Sequence, residues 1–327
     1  MRRMVLLACL LPLAACAGRQ SPLAPAALQA EWLHWLLMLM FWVCGIVYAL
    51  VIALLGASIW RGRHRLAAKP EIEPDDRRLS RGLGVWAGMI VVGLTVLILG
   101  SFVVERQLAD MRAHEALVVR VTGQQWWWRV QYRDPAGGGW IETANELHLP
   151  AGRTARIELG SVDVIHSFWV PNVAGKMDVI PGRANAIDVT PHRLGWFRGQ
   201  CAEFCGAQHA HMAFDVKVDT PAEFTRWLAA QARPAAPPTG AALVVANGAC
   251  ASCHTLRGTA ARGRAGPDLT HVGGRRSVAA GTLPMSRGAL QGWIAQPQAL
   301  KPGTLMPAVA LSGAQADAVA AYLESLK

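Results

Sequence analysis

Charge is what this sequence has least of. Asp, Glu, Lys and Arg make up 17% of its 327 residues, against about a quarter in ordinary soluble domains. Two stretches, residues 33–60 and 83–104, have none at all. Each is long enough to cross a bilayer with some tilt, which argues against a wholly soluble chain. Acidic residues are the scarcer sign, 22 against 32 basic, for a net charge of +10. That excess would suit nucleic acid if it gathered in one groove. Instead residues 105–233 hold fourteen of each sign, and residues 234–327 hold eight basic and three acidic. No nucleic-acid partner is expected from that split. No motif of a substrate pocket stands out either, so the chemistry must lie in cysteine, histidine and methionine.

The N-terminus reads as a targeting segment. Arg2 and Arg3 precede a short apolar run over residues 5–13, the pattern of a signal peptide over residues 1–15. Leu13, Ala14, Ala15 and Cys16 have the form of a bacterial lipobox, so cleavage before Cys16 and its acylation are expected. Between the two apolar stretches lie Arg61, Arg63, Arg65, Arg77 and Arg78. Positive charge favours the cytoplasmic side, which puts both outer ends of a hairpin over residues 31–104 outside. A lipid on Cys16 demands the same topology.

Beyond Ala116 the pattern changes to short strands, over residues 117–121, 126–132, 154–159, 162–170, 186–190 and 213–218. Glycine and proline turns between them predict a β-sandwich or Greek-key barrel within residues 105–233. Thr220, Pro221 and Glu223 form a capping box that starts a helix. Pro234, Pro237 and Pro238 mark a linker over residues 234–240. Residues 241–327 read as mostly helical. Ser312 and Gln315 predict a second cap, followed by an apolar face of Ala316, Val319, Ala320, Leu323 and Leu326.

Seven cysteines occur. Cys9 would be discarded with the signal, and Cys44 and His34 inside the first span read as packing residues. Cys201 and Cys205 stand four apart, so one loop presents two thiolates to a metal centre. His209 and Met212 follow, and His166 arrives from an earlier strand. Thiolate, imidazole and thioether are donors that copper favours over hard cations. Zinc also takes two Cys and two His, although Met212 is a poor zinc ligand. Cys250, Cys253 and His254 have the order that attaches a c-type haem, with thioethers from the cysteines and iron ligation from His254. Met306, Met285 and His271 are candidates for the distal ligand. A His/Met pair raises the haem potential. Two redox centres without a substrate motif point to electron transfer.

Cys201, Glu203, Cys205, Gly206, His209 and Met212, behind a membrane hairpin and a strand-rich segment, resemble cytochrome c oxidase subunit II with its dinuclear CuA centre. Residues 145–150, 164–171 and 176–183 match further family segments, so the similarity runs from about Glu31 to Arg233. It implies a cupredoxin-like, all-β CuA domain in which Cys201 and Cys205 bridge both coppers. His166 and His209 would be terminal ligands, with Met212 and the carbonyl of Glu203 axial. The resemblance also implies a magnesium ion on the Glu203 side chain at the contact with subunit I. Trp126 corresponds to the aromatic residue through which electrons reach copper. Residues 266–275 and 290–297 and the Met306 loop resemble an all-α, class I cytochrome c domain. The resemblance as a whole implies subunit II of a caa-type oxidase in the bacterial inner membrane, with both redox domains outside. Such a chain passes electrons from a donor cytochrome or respiratory complex, through haem c and CuA, to subunit I, where oxygen is reduced to water. Subunit III is a further expected partner. The rival readings are a CuA-bearing subunit of a nitric oxide reductase and a lipid-anchored electron carrier.

Overall fold

The uncharged stretches form two long helices, α1 (Leu28–His64) and α2 (Asp76–Asp110). The computed structural model describes residues 18–64, 76–111, 116–135, 137 and 139–327; the signal segment and Cys16 lie outside them. Both helices run past the uncharged stretches. At about 1.5 Å per residue each exceeds 50 Å, against roughly 30 Å of hydrocarbon core. The last turn of α1 carries Arg61, Arg63 and His64, which suit the negative end of the helix dipole. The helices are antiparallel neighbours with glycines at the contact. A Cβ on Gly100 would fall 2.5 Å from Leu39, and one on Gly93 would fall 3.6 Å from Val43. Small residues let backbones approach where lipid gives no hydrophobic drive. Their other faces are apolar and bare: Phe41, Trp42 and Ile98 are 60–72% exposed, a surface that suits lipid and not water.

Ten strands make two five-stranded sheets. One has the order β3 (Trp140–Ala144), β2 (Trp127–Arg133), β1 (Leu117–Gln124), β5 (Ala155–Ser161), β8 (Asn185–Val189). The other runs β4 (Glu146–Pro150), β10 (Ala213–Asp219), β9 (Gly195–Cys201), β6 (His166–Trp169), β7 (Met177–Val179). Pairing is antiparallel except β1–β5 and β10–β4. Alternate residues of β1 and β2 point inward, and Trp128, Tyr132, Phe214, Leu147, Leu149 and Ile157 fill the space between the sheets. Residues 162–165 are a loop, not the predicted start of a strand, because the Asp163 carboxylate accepts from the backbone of Gln125 and Val164. Residues 18–30 also join this domain: Ala26 and Ala27 are fully buried, and Gln29 accepts from the Thr190 amide. The predicted cap forms at α3 (Pro221–Gln231), where Thr220 and Glu223 bond each other's backbone.

The C-terminal part is built of short helices: α4 (Leu243–Asn247), α5 (Arg287–Ala295), α6 (Pro297–Leu300) and α7 (Gly313–Ser325). A small hairpin, β11 (Ser277–Val278) with β12 (Leu283–Pro284), interrupts this mostly helical segment. The predicted face of α7 is buried against α5, with Leu290 and Ile294 meeting Val319, Ala320 and Leu323. Gly273 permits this closure, since a Cβ there would lie 2.2 Å from the Glu324 carbonyl oxygen. The helical part packs on the sandwich. The Ala213 amide donates to Ala280 at 3.0 Å, Ser277 donates to Asp215 at 2.8 Å, and Arg276 covers the Trp196 ring at 4.6 Å.

Candidate metal centre and haem cavity

β6 begins at His166 and β9 ends at Cys201, side by side in one sheet. The chain then loops through Cys205 and a single turn at His209–His211 before β10. Cys201 donates its amide to Met212, and Met212 donates its own to His209, so the loop is closed on itself. Gly206 turns it at φ +112°, where a Cβ would press on Gln125 and Trp126 at 3.1 Å.

The donor atoms converge. The two sulfurs of Cys201 and Cys205 lie 3.7 Å apart. His166 Nδ1 is 3.8 Å from Cys201 Sγ, and His209 Nδ1 is 3.6 Å from Cys205 Sγ. Met212 Sδ stands 3.8 Å from Cys205 Sγ, and the Glu203 carbonyl oxygen 3.2 Å from Cys201 Sγ. His166 and Met212 are wholly buried. Gly123 makes room for the His166 ring, which a Cβ there would meet at 2.8 Å.

Asp163 completes the arrangement and carries no motif. Its Oδ1 lies 2.9 Å from His166 Nε2. A carboxylate accepts that N–H, which leaves the Nδ1 lone pair facing the sulfurs. Burial works against the Asp163 anion, yet hydrogen bonds from Gln125, His166 and Val164 hold its carboxyl below the usual range. Burial likewise opposes charge on His166, but bonding to Cys201 and Asp163 raises it. A hydrogen bond from Cys205 pulls Cys201 down to about 3. The same contact, with burial, pushes the Cys205 thiol up. The contact between the two sulfurs therefore favours the thiolate at Cys201 over Cys205. Two sulfurs, two imidazoles and a thioether fit copper; a lone tetrahedral zinc would leave Met212 unused. His211 stays outside the cluster, with its Nδ1 2.7 Å from Gln208 Oε1.

The second site is a cavity of about 520 Å³ in the helical domain, lined by Cys250, Cys253, His254 and Met306 among apolar side chains. His254 Nδ1 donates to the Pro267 carbonyl at 2.7 Å, which frees Nε2 for a metal. Burial lowers the His254 pKa, favouring the neutral, ligating form. Gly266 lies under the ring; a Cβ there would be 2.5 Å from Cε1. The buried guanidinium of Arg275 also lines the cavity, and its Nε has no partner among the described residues. A large apolar space with an imidazole facing it and a buried guanidinium that keeps one nitrogen unpaired fits a porphyrin bearing acidic groups. His271 bonds backbone at Arg233 and Lys327, and neither it nor Met285 lines the cavity.

Trp126 touches both sites. Its Nε1 donates to the Cys205 carbonyl at 2.9 Å, and its ring lines the cavity. Gln124, Gln125, Trp127 and Asn145 line the cavity too, so the sandwich supplies one of its walls.

Sandwich, soft-donor cluster and axial-histidine cavity together define a cupredoxin-like metal domain joined to a c-type cytochrome domain. Residues 135–218 match the family described as the periplasmic domain of cytochrome c oxidase subunit II, and residues 239–327 match cytochrome c. Cytochrome c oxidase subunit 2 of Alkalihalophilus pseudofirmus is 31% identical over 329 residues, spanning 96% of this chain and 94% of that one. The subunit 2 of Bacillus sp. strain PS3 is 30% identical, spanning 74% and 73%. The periplasmic domain of CoxB from Bradyrhizobium japonicum is 32% identical in sequence, covering 36% of this chain and 95% of that one, with a TM-score of 0.33. The chain belongs to the cytochrome c oxidase subunit 2 family, and so is a subunit of an oxidoreductase complex. The metal domain implies CuA and the helical domain implies haem c.

Proposed function

We propose that this chain receives electrons for a haem-copper oxidase and relays them from haem c through dinuclear CuA to subunit I, where oxygen is reduced to water. The observation that carries this reading is the place of Trp126, bonded to the Cys205 carbonyl while its ring lines the haem cavity. Bound copper and haem supply one-electron chemistry. The chain's own residues hold and tune them. Each candidate sulfur has its own imidazole neighbour, an arrangement suited to two metal ions sharing both thiolates. Cys201, Cys205, His166, His209, Met212 and the Glu203 carbonyl would hold the copper ions, the sulfurs and imidazoles as the closest donors. Cys250 and Cys253 would hold the haem by thioethers, and His254 and Met306 would ligate its iron. Trp126 is the aromatic residue on the path between them. Glu203 is exposed at the rim of the cluster, where its carboxylate would be free to take a magnesium ion at the contact with subunit I.

Subunit I, subunit III and a donor cytochrome or respiratory complex are the partners in this reading. The chain sits in the bacterial inner membrane, with both redox domains on the outer side and Cys16 lipidated. The test is purification with whatever subunits accompany it, followed by visible and near-infrared spectra and oxygen uptake. A preparation that holds haem but neither copper absorbance nor oxygen uptake sinks the proposal.

A further inference from the structure

Lys301 is 2% exposed. Its Nζ donates to three backbone carbonyls, those of Trp126 at 2.8 Å, His211 at 2.7 Å and Ala279 at 3.0 Å. Trp126 and His211 belong to the sandwich and Ala279 to the helical domain, so one amine ties the two together. The following residues continue the seam. Gln208 Nε2 donates to the Pro302 carbonyl at 2.8 Å. Gly303, at φ +83°, lies against the Trp126 ring, which a Cβ would meet at 3.5 Å. Met306, on the wall of the haem cavity, ends the same loop.

Burying an amine is costly, and burial pushes Lys301 down to about 7. Three carbonyl acceptors match the three donors of an ammonium and favour its charged form. An apolar residue of similar volume would hold two surfaces together as well, at less cost. What the lysine adds is register. Its bonds fix particular carbonyls against one another, where a greasy contact would let the surfaces slide.

We propose that Lys301 is an interdomain positioning residue, a buried clamp that seats the Met306 loop against Trp126 and the turn at His211 and so sets the separation of the two redox sites. The proposal rests on the relay reading above. The step it serves moves one electron from ferrous haem to the oxidised copper pair, with no bond made or broken.

The test is Lys301→Met in the full chain with its partner subunits. The expected variant keeps both chromophores and both midpoint potentials. Electron passage from haem to copper after flash reduction slows by about ten- to a hundredfold, the usual scale for small misplacements of reacting groups. Magnetic relaxation of the copper signal by ferric haem weakens, and amide exchange at residues 279–281, at position 301 and at Gly303 speeds up. An unchanged rate with unchanged magnetic coupling overturns the clamp. No transfer in the unsubstituted protein overturns the relay itself. If the variant does not load haem, the unsubstituted protein still decides. Buried bonds are little screened, so the coupling must hold from low to high salt, and a coupling that fades with salt overturns the proposal.

Discussion

The tautomer of His166 depends on a neighbour that spacing does not reveal. Asp163 holds Nε2–H at 2.9 Å, and only then does Nδ1 face the cluster as a lone pair. Replacing such a partner costs roughly 10- to 100-fold in metal affinity elsewhere. Asp163→Asn is expected to weaken copper binding on that scale while leaving haem absorbance alone; unchanged affinity in a chelator competition would refute the role. Gly266 makes a parallel case in the other domain. A Cβ 2.5 Å from His254 Cε1 must displace the ring, so Gly266→Ala should lower the yield of covalently attached haem in a pyridine haemochrome assay. A full yield with an unshifted spectrum would show that the ring has room. Cys201, Cys205, His209, Met212, Cys250, Cys253 and His254 were legible as candidates because their spacing within short motifs already limits what they can bind, while His166 and Met306 were reached through the resemblance. Asp163 and Lys301 were not, because each acts through backbone or ring atoms that only folding brings near.

Strands show the same limit at the next scale. The rhythm of β1, β2, β5, β8 and β10 could be read, but β9, which delivers Cys201, could not. Its Gly195 and Gly199 look like turn residues. In fact Gly199 sits in the strand, because the Phe214 ring crosses where its side chain would be: a Cβ there would fall 2.1 Å from Cζ. Overpacking of this kind costs about 1–3 kcal/mol. Gly199→Ala should therefore lower the melting temperature and loosen the Cys201 end of β9. A melting temperature equal to that of the unsubstituted protein would mean Phe214 moves aside freely. In the cytochrome domain α7 was legible by its cap at Ser312 and Gln315. The β11–β12 hairpin was not, since two-residue strands carry no periodicity.

Over the whole molecule the two candidate ligand sets share no residue. Cys201→Ser should abolish the near-infrared copper band and leave the haem spectrum intact; loss of both would mean the sites load as one. The bare apolar faces of α1 and α2 make a further prediction about anchoring. A single acyl chain binds membranes only marginally, so Cys16→Ser should stay in the membrane fraction, and its release on mild salt washing would count against both spans. The wall that Gln124, Gln125, Trp126, Trp127 and Asn145 lend to the haem cavity has a different consequence, for anyone who would cut and splice this chain. The proline-rich linker looks like a natural seam for grafting on a foreign cytochrome. A transplant made there leaves five lining residues behind, and the newcomer inherits a floor shaped for another tenant. Chimeras that carry residues 124–127 and 145 along with the cytochrome should keep the parental haem potential, and those cut at the linker alone should not.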